Sequence, residues 1–187
     1  SYNKFMNENP LTILLYHGVT SHKGVGIENF SGKHINVNDF VKQMEHVNKN
    51  ANVLSMDEVV YKYSNNEPLP KNAVSITFDD GFENNSTEAA PILDDLNLPA
   101  TFYIASGMVN TNMMFWVDQL EDIINLTKVK KITLNLDKKV TFSLNSFKEK
   151  RISLIIISPA FAVSGTLMGT LAVRTLPDKS EILAMSN

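Results

Sequence analysis

Along the first two thirds of the chain, short apolar runs alternate with stretches of helical periodicity. Residues 12–19, TILLYHGV, are rich in β-branched and aromatic residues and short enough for a buried strand. A polar, glycine-containing stretch follows to about residue 35. Val37, Phe40, Val41, Met44 and Val47 then recur at helical spacing, which predicts an amphipathic helix capped by Asn36. NVLSM (52–56) predicts a short strand, and Met56 to Tyr63 a short helix. The segment NNEPLPKN, with Pro68 and Pro70, suits neither element and predicts a loop. AVSITFDD (73–80) is the second strong strand; an asparagine-rich turn leads from it into a helix over roughly 86–97, with Pro91 in the first turn. LPATFYIAS (99–107) predicts a third strand. Phe115, Val117, Leu120, Ile123 and Ile124 predict a helix over 113–126. KITLNL and KVTFSL alternate in hydropathy and predict a β-hairpin turning at Asp137-Lys138.

Strand and helix in strict alternation are the pattern of parallel βαβ units, so the fold class is α/β, with the hairpin as an insertion at one end of a barrel or sheet. The sequence divides into an α/β domain over 1–151 and an uncharged apolar tail over 152–187 of uncertain role. Residues 152–173 run for 22 positions without a charge, and Gly165 and Gly169 have small-xxx-small spacing. A membrane contact through 152–173 is open on these grounds. Pro159 and the many serines, threonines and glycines favour instead one or two buried strands with a loop.

With 187 residues, 43% hydrophobic and 20% charged, the chain can bury an ordinary core. A net charge of −3 and the lack of a basic stripe give no reason to expect nucleic acid as a partner. The chain has no cysteine, which excludes disulfides, thiolate metal sites and cysteine nucleophiles. The given residues hold no basic-then-apolar signal peptide. Neither oligomeric state nor compartment follows from these totals.

The chemistry-bearing stretch is SITFDDGFENN (75–85). Asp79 and Asp80 stand where a strand of an α/β fold ends, the face on which such folds bind ligands. Adjacent strand residues face opposite ways, so both reach one pocket only where pairing stops; Gly81 supplies the turn. This geometry permits one carboxylate to bind a hard cation while the other moves a proton. The plainer alternative is a solvated turn with an aspartate capping the next helix.

Thr77-Phe78-Asp79-Asp80-Gly81 resembles the first signature of the polysaccharide deacetylases, the NodB-homology domain of carbohydrate esterase family four. Tyr16-His17-Gly18-Val19 is similar to a Tyr-His element upstream in many members. HINVNDFVKQMEHVNKNANVLSMDEVV has the layout of their first helix and second strand. LPATFYIAS is similar to their third strand, and MMFWVDQLEDII to an insertion found in a subset. The likeness covers roughly residues 11–126. It implies a partial or distorted (β/α) barrel and a metal-dependent hydrolase removing N-acetyl groups from an amino-sugar polysaccharide of the cell envelope or outside the cell. It also implies site roles: Asp79 as catalytic base, Asp80 as a ligand of a divalent metal, usually zinc, and His17 lining the same rim as a substrate-binding residue. For His17, a histidine hydrogen-bonded beside the core is an equal alternative.

The resemblance stops downstream. The family's His-(Ser/Thr)-x-x-His motif is absent: the four histidines, His17, His22, His34 and His46, all precede Asp79, and none has that spacing. His22 and His34 fall in a polar loop and His46 on a helix, so solvent-facing positions are expected for all three. Arg174 and Pro177 do not make the later Arg-x-Pro element, and a closing Leu-x-His is missing. Two accounts follow: the amino-terminal half of a longer deacetylase, favoured by the change of composition at residue 151, or a variant that binds carbohydrate without hydrolysing it. A membrane-tethered module and a phosphohydrolase rank below both, the latter because no Asp-x-Asp or glycine-rich phosphate loop is present.

Overall fold

A computed structural model describes residues 9–135, 139–162, 170–176 and 179–183. The chain forms two compact units. One takes in the residues up to His22, Lys33–Ser106 and the two last strands; the other joins Lys23–Gly32 to the stretch from Gly107 to the last helix.

In the first unit, β5 (Ala73–Phe78) is the centre of a six-stranded sheet. β1 (Leu11–Tyr16) pairs with it in parallel along its whole length, from Leu11 opposite Ala73 to Tyr16 opposite Phe78. On the other edge, β4 (Asn52–Val53) meets the start of β5 and β6 (Ala100–Ala105) its end, both in parallel. β9 (Thr170–Leu176) runs antiparallel to β6, and β10 (Lys179–Leu183) antiparallel to β9. β1 and β10 remain as edges, so the sheet is unclosed among the described residues. The expected α/β fold with parallel strands and the form of a partial barrel is what the chain adopts. Two strands that hydrophobic patterning missed, β2 (Gly18–Thr20) and β3 (His34–Asn36), form a small parallel pair. Three residues each and polar at several positions, they are too short to show a period of two.

The crossovers explain why β5 is buried almost throughout. Ala73, Ser75, Ile76, Thr77 and Phe78 are all buried, as expected of a central parallel strand. Helix α1 (Val37–Asn50) begins at the expected cap, the Asn38 N–H donating to Asn36 Oδ1 at 2.9 Å, and buries Phe40 and Met44. α2 (Met56–Ser64) starts with a capping box between Ser55 and Glu58. A π-helical turn at Asn85–Ala89 leads into α3 (Ala90–Asp95), with Pro91 in the first turn. The apolar face of α1 meets the sheet in an aromatic cluster. Phe78 stacks on Phe102 at 4.8 Å between centroids, and Tyr16 and Phe40 close around it at 5.4 and 5.9 Å.

The second unit contains α4 (Trp116–Leu126), the hairpin of β7 (Lys131–Asn135) and β8 (Lys139–Ser143), and α5 (Phe147–Ala162). The hairpin pairs antiparallel as expected, with the Thr133 and Thr141 hydroxyls 2.9 Å apart. Its Asp137-Lys138 turn lies outside the described residues. Ile27, Ile124, Phe142, Leu144, Leu154 and Ile157 form this unit's core.

One expectation is overturned. Residues 152–162 are not strand; they continue the helix α5, which begins before them. The N–H of Glu149 donates to Ser146 Oγ and the N–H of Ser146 to Glu149 Oε2, so a Ser-x-x-Glu capping box starts α5 five residues before the apolar run. Ser153, Leu154 and Ile157 are buried while Ile152, Ile155 and Ile156 are exposed, so apolar residues on both faces obscure any helical stripe. Gly165 and Gly169 lie outside the described residues. Among those described, no helix is long and apolar enough to cross a membrane.

The aromatic cluster gives a direct test. Phe78→Ala removes the ring that Phe102, Tyr16 and Phe40 all touch, and should lower the stability of the fold by about 3–5 kcal/mol. Urea unfolding followed by circular dichroism measures it, and a loss below about 1 kcal/mol would contradict the central position given to this ring.

Candidate active site at the carboxyl end of β5

Bonds to both neighbours hold the carboxyl end of β5, and those to β6 run past its last pair. The last β1 pair sets Tyr16 opposite Phe78, and the Asp79 N–H still donates to the Tyr16 carbonyl at 2.9 Å. The last β6 pair sets Phe78 opposite Phe102, and the Ala105 N–H still donates to the Asp80 carbonyl at 3.4 Å. The bond to β6 continues its register, so Asp79 stands level with Tyr103 and shares its face. The bond to Tyr16 closes the last β1 pair; His17, next along, lies in a bend, where the Gly18 N–H donates to the Lys33 carbonyl at 3.4 Å.

Asp80 leaves that face. Its φ is 73° and that of Gly81 is 74°, two consecutive residues in the left-handed region. Aspartate is among the few residues with a side chain that visit this region routinely, at a cost of about 1–2 kcal/mol. Gly81 is required for a second reason: a Cβ there would lie 2.7 Å from Ile104 Cβ and 3.2 Å from its Cα. The expectation that glycine alone makes the turn was too simple, since Asp80 turns with it.

The loop beyond is fastened to β3. Asn84 Nδ2 and His34 Nδ1 are 2.9 Å apart, the His34 ring packs edge-on to Phe82 at 4.7 Å, and Lys33 Nζ sits 5.0 Å over the same ring. Gly18 makes room for this, because a Cβ there would overlap the His34 ring and approach Asn84 Oδ1 to 2.6 Å. His34 is thus half-buried against the loop, not turned to solvent as its polar neighbours suggested; His22 and His46 are exposed. Behind the turn, Gly81, Phe82, Asn85, Ser86, Ala90, Phe102 and Ile104 enclose about 200 Å³. Asn85 in its wall is buried, with neither amide atom hydrogen-bonded.

Electrostatics tie Tyr103 to Asp79. The Tyr103 phenol is raised above its ordinary value of 10.0 by burial first, then by the negative charge of Asp79, then by that of Asp57 in the first turn of α2. Tyr16, whose hydroxyl donates to Gln43 Oε1 at 2.7 Å, is raised by burial. Among the described residues, no three histidine or acidic side chains converge to hold a metal ion. Zinc sites take three or four protein ligands, so these residues do not fit a complete metal centre.

Residues 66–135 match the family model for polysaccharide deacetylase. That segment includes Asp79, Asp80 and Tyr103; His17 lies before it. The chain is similar to the structures of the Streptococcus pyogenes deacetylase PplD in complex with acetate (24% identity, TM-score 0.48, 63% of this chain and 53% of that one) and of IcaB from Ammonifex degensii (21%, 0.48, 62% and 48%). It is also similar to a de-N-acetylase from Aggregatibacter actinomycetemcomitans (20% identity, TM-score 0.46, 80% of this chain and 52% of that one). The chain spans about half the length of each. No curated protein sequence matches it.

Two measurements check this geometry. Gly81→Ala should lower stability by at least about 1–2 kcal/mol, from the left-handed φ alone, before the overlap with Ile104 is counted; an unchanged melting curve would show the turn to be differently built. In ¹³Cζ-tyrosine NMR, Asp79→Asn should lower the Tyr103 pKa, because a neutral neighbour no longer opposes the phenolate. Both tyrosines hold their protons more tightly folded than unfolded. Their contribution to stability is therefore complete below pH 10 and is lost as pH rises through the raised folded values. A Tyr103 resonance indifferent to Asp79→Asn would put the two residues apart.

Proposed function

We propose that this chain carries the base-bearing half of a hydrolase that removes N-acetyl groups from an amino-sugar polysaccharide. One observation carries the reading: Asp79, inside the segment that matches the deacetylase model, is held at the carboxyl end of parallel strands by bonds on both sides and stands level with Tyr103. Asp79 acts as general base. It takes a proton from the water whose oxygen attacks the acetamide carbonyl; the carbon–nitrogen bond then breaks, leaving acetate and a free amine. His17 lines the rim of the substrate site from the neighbouring strand end.

Asp80 is assigned as a ligand of a divalent metal, zinc in the family's usual pattern, on the resemblance alone. The described residues do not complete such a centre, so no step is derived through an ion. On this reading the substrate polymer is of the cell envelope or lies outside the cell.

The test is acetate release from N-acetylglucosamine oligomers with zinc or cobalt added, by this chain and by any longer product that contains it. Turnover should fall about 10²- to 10⁴-fold in Asp79→Asn, the range contributed by a positioned general base. Equal release by the parent and the variant would remove Asp79 from the chemistry. Oligomer binding that survives both Asp79→Asn and chelation, with no acetate from any form, would establish the non-catalytic carbohydrate-binding reading instead.

A further inference from the structure

Of the level residues Asp79 and Tyr103, the tyrosine is given no task by the sequence motifs or by the proposed chemistry. Tyr103 sits on β6, level with Asp79, as the flanking bonds require: Phe78 opposite Phe102 below and Asp80 O to Ala105 N above. It is half-buried, while its neighbours Phe102 and Ile104 turn to the other face, where they line the cavity behind Gly81. A tyrosine side chain is longer than an aspartate's. From level positions on one face, its hydroxyl therefore stands beyond the carboxylate rather than on it. In keeping with this, no side-chain hydrogen bond engages either residue among those described.

The electrostatics fix what that hydroxyl can do. Burial and the charges of Asp79 and Asp57 all oppose the phenolate, so the group is a permanent O–H donor at any physiological pH. A neutral donor held just past a carboxylate, on a half-buried aromatic ring, matches a sugar: an oxygen to accept the hydrogen bond and C–H faces to lie on the ring.

We infer that Tyr103 is a substrate-binding residue of this site, its hydroxyl donating to an oxygen of the amino sugar whose acetamide lies over Asp79. The inference deepens the deacetylase reading and rests on it. Tyr103 binds and orients the sugar; it exchanges no proton with it. Removal of its hydroxyl should therefore weaken binding and raise KM while kcat falls little, the opposite of removing the base.

The experiment is titration of this chain with an N-acetylglucosamine oligomer, by calorimetry and by NMR of ¹³Cζ-labelled tyrosine, for the parent, Tyr103→Phe and Asp79→Asn. The parent should bind, with the Tyr103 resonance shifting at saturation. Tyr103→Phe should bind about 5- to 10-fold more weakly with an unchanged melting temperature, as expected for one lost hydrogen bond. Asp79→Asn should keep most of the affinity. Parent binding matched by Tyr103→Phe, with the Tyr103 resonance unmoved, overturns the inference and leaves the deacetylase reading standing. No binding by the parent overturns both.

Discussion

Everything at the candidate site depends on β5 keeping its register with two different neighbours up to its carboxyl end. A parallel strand shared by two ladders cannot slide without breaking both sets of bonds and turning every side chain to the other face. Here the Asp79 N–H is tied to β1 and the Asp80 carbonyl to β6. The first carboxylate is therefore fixed by the backbone of three strands, not by side-chain partners. The second is released from the sheet by its own left-handed φ. Two adjacent acids of identical chemistry thus receive different positions from one backbone event, the end of pairing on the two edges at slightly different residues.

The aromatic cluster below the site supports this register. Phe78 precedes Asp79, and its ring is wedged among Tyr16, Phe40 and Phe102, which come from β1, α1 and β6. A slip of β5 by one residue would exchange Phe78 with an aspartate in that pocket. Burying an unpaired carboxylate among aromatic rings costs far more than any ladder bond contributes. The core consequently selects the one register that leaves Asp79 at the rim.

Much of this was legible in the sequence, for definite reasons. β5 reads as a strand because it is buried almost throughout and so mostly apolar; α1 reads as a helix because Phe40 and Met44 repeat at its period and Asn36 caps it. The acid pair, its place at a strand end and the turn at Gly81 followed from the same pattern. What stayed hidden lacked periodicity. β2 and β3 are three residues each. α5 has apolar residues on its exposed and buried sides alike, and only the Ser146–Glu149 capping box marks its start. At the site, the missed residues are His34 and Tyr103. His34 looked like loop because the fastening of that loop is made by partners some fifty positions away, at Phe82 and Asn84. Tyr103 looked like one more aromatic in an apolar strand; only the register between β5 and β6 distinguishes it from Phe102.

That register also sorts the site's residues by what would disturb them. Asp79 and Tyr103 are placed by ladder bonds, so changes in the surrounding loops leave their mutual spacing intact. Asp80 is placed by a turn that exists because Gly81 has no Cβ to meet Ile104, and by a loop that the His34–Asn84 and Phe82 contacts hold against β3. A proton-transferring group needs fixed distance to its reacting partner, and the ladder provides it. A group that binds an ion must adapt to the ion's other ligands, and a turn can adapt where a ladder cannot. The division between a rigid Asp79 and a turn-borne Asp80 is the one that the two proposed roles require.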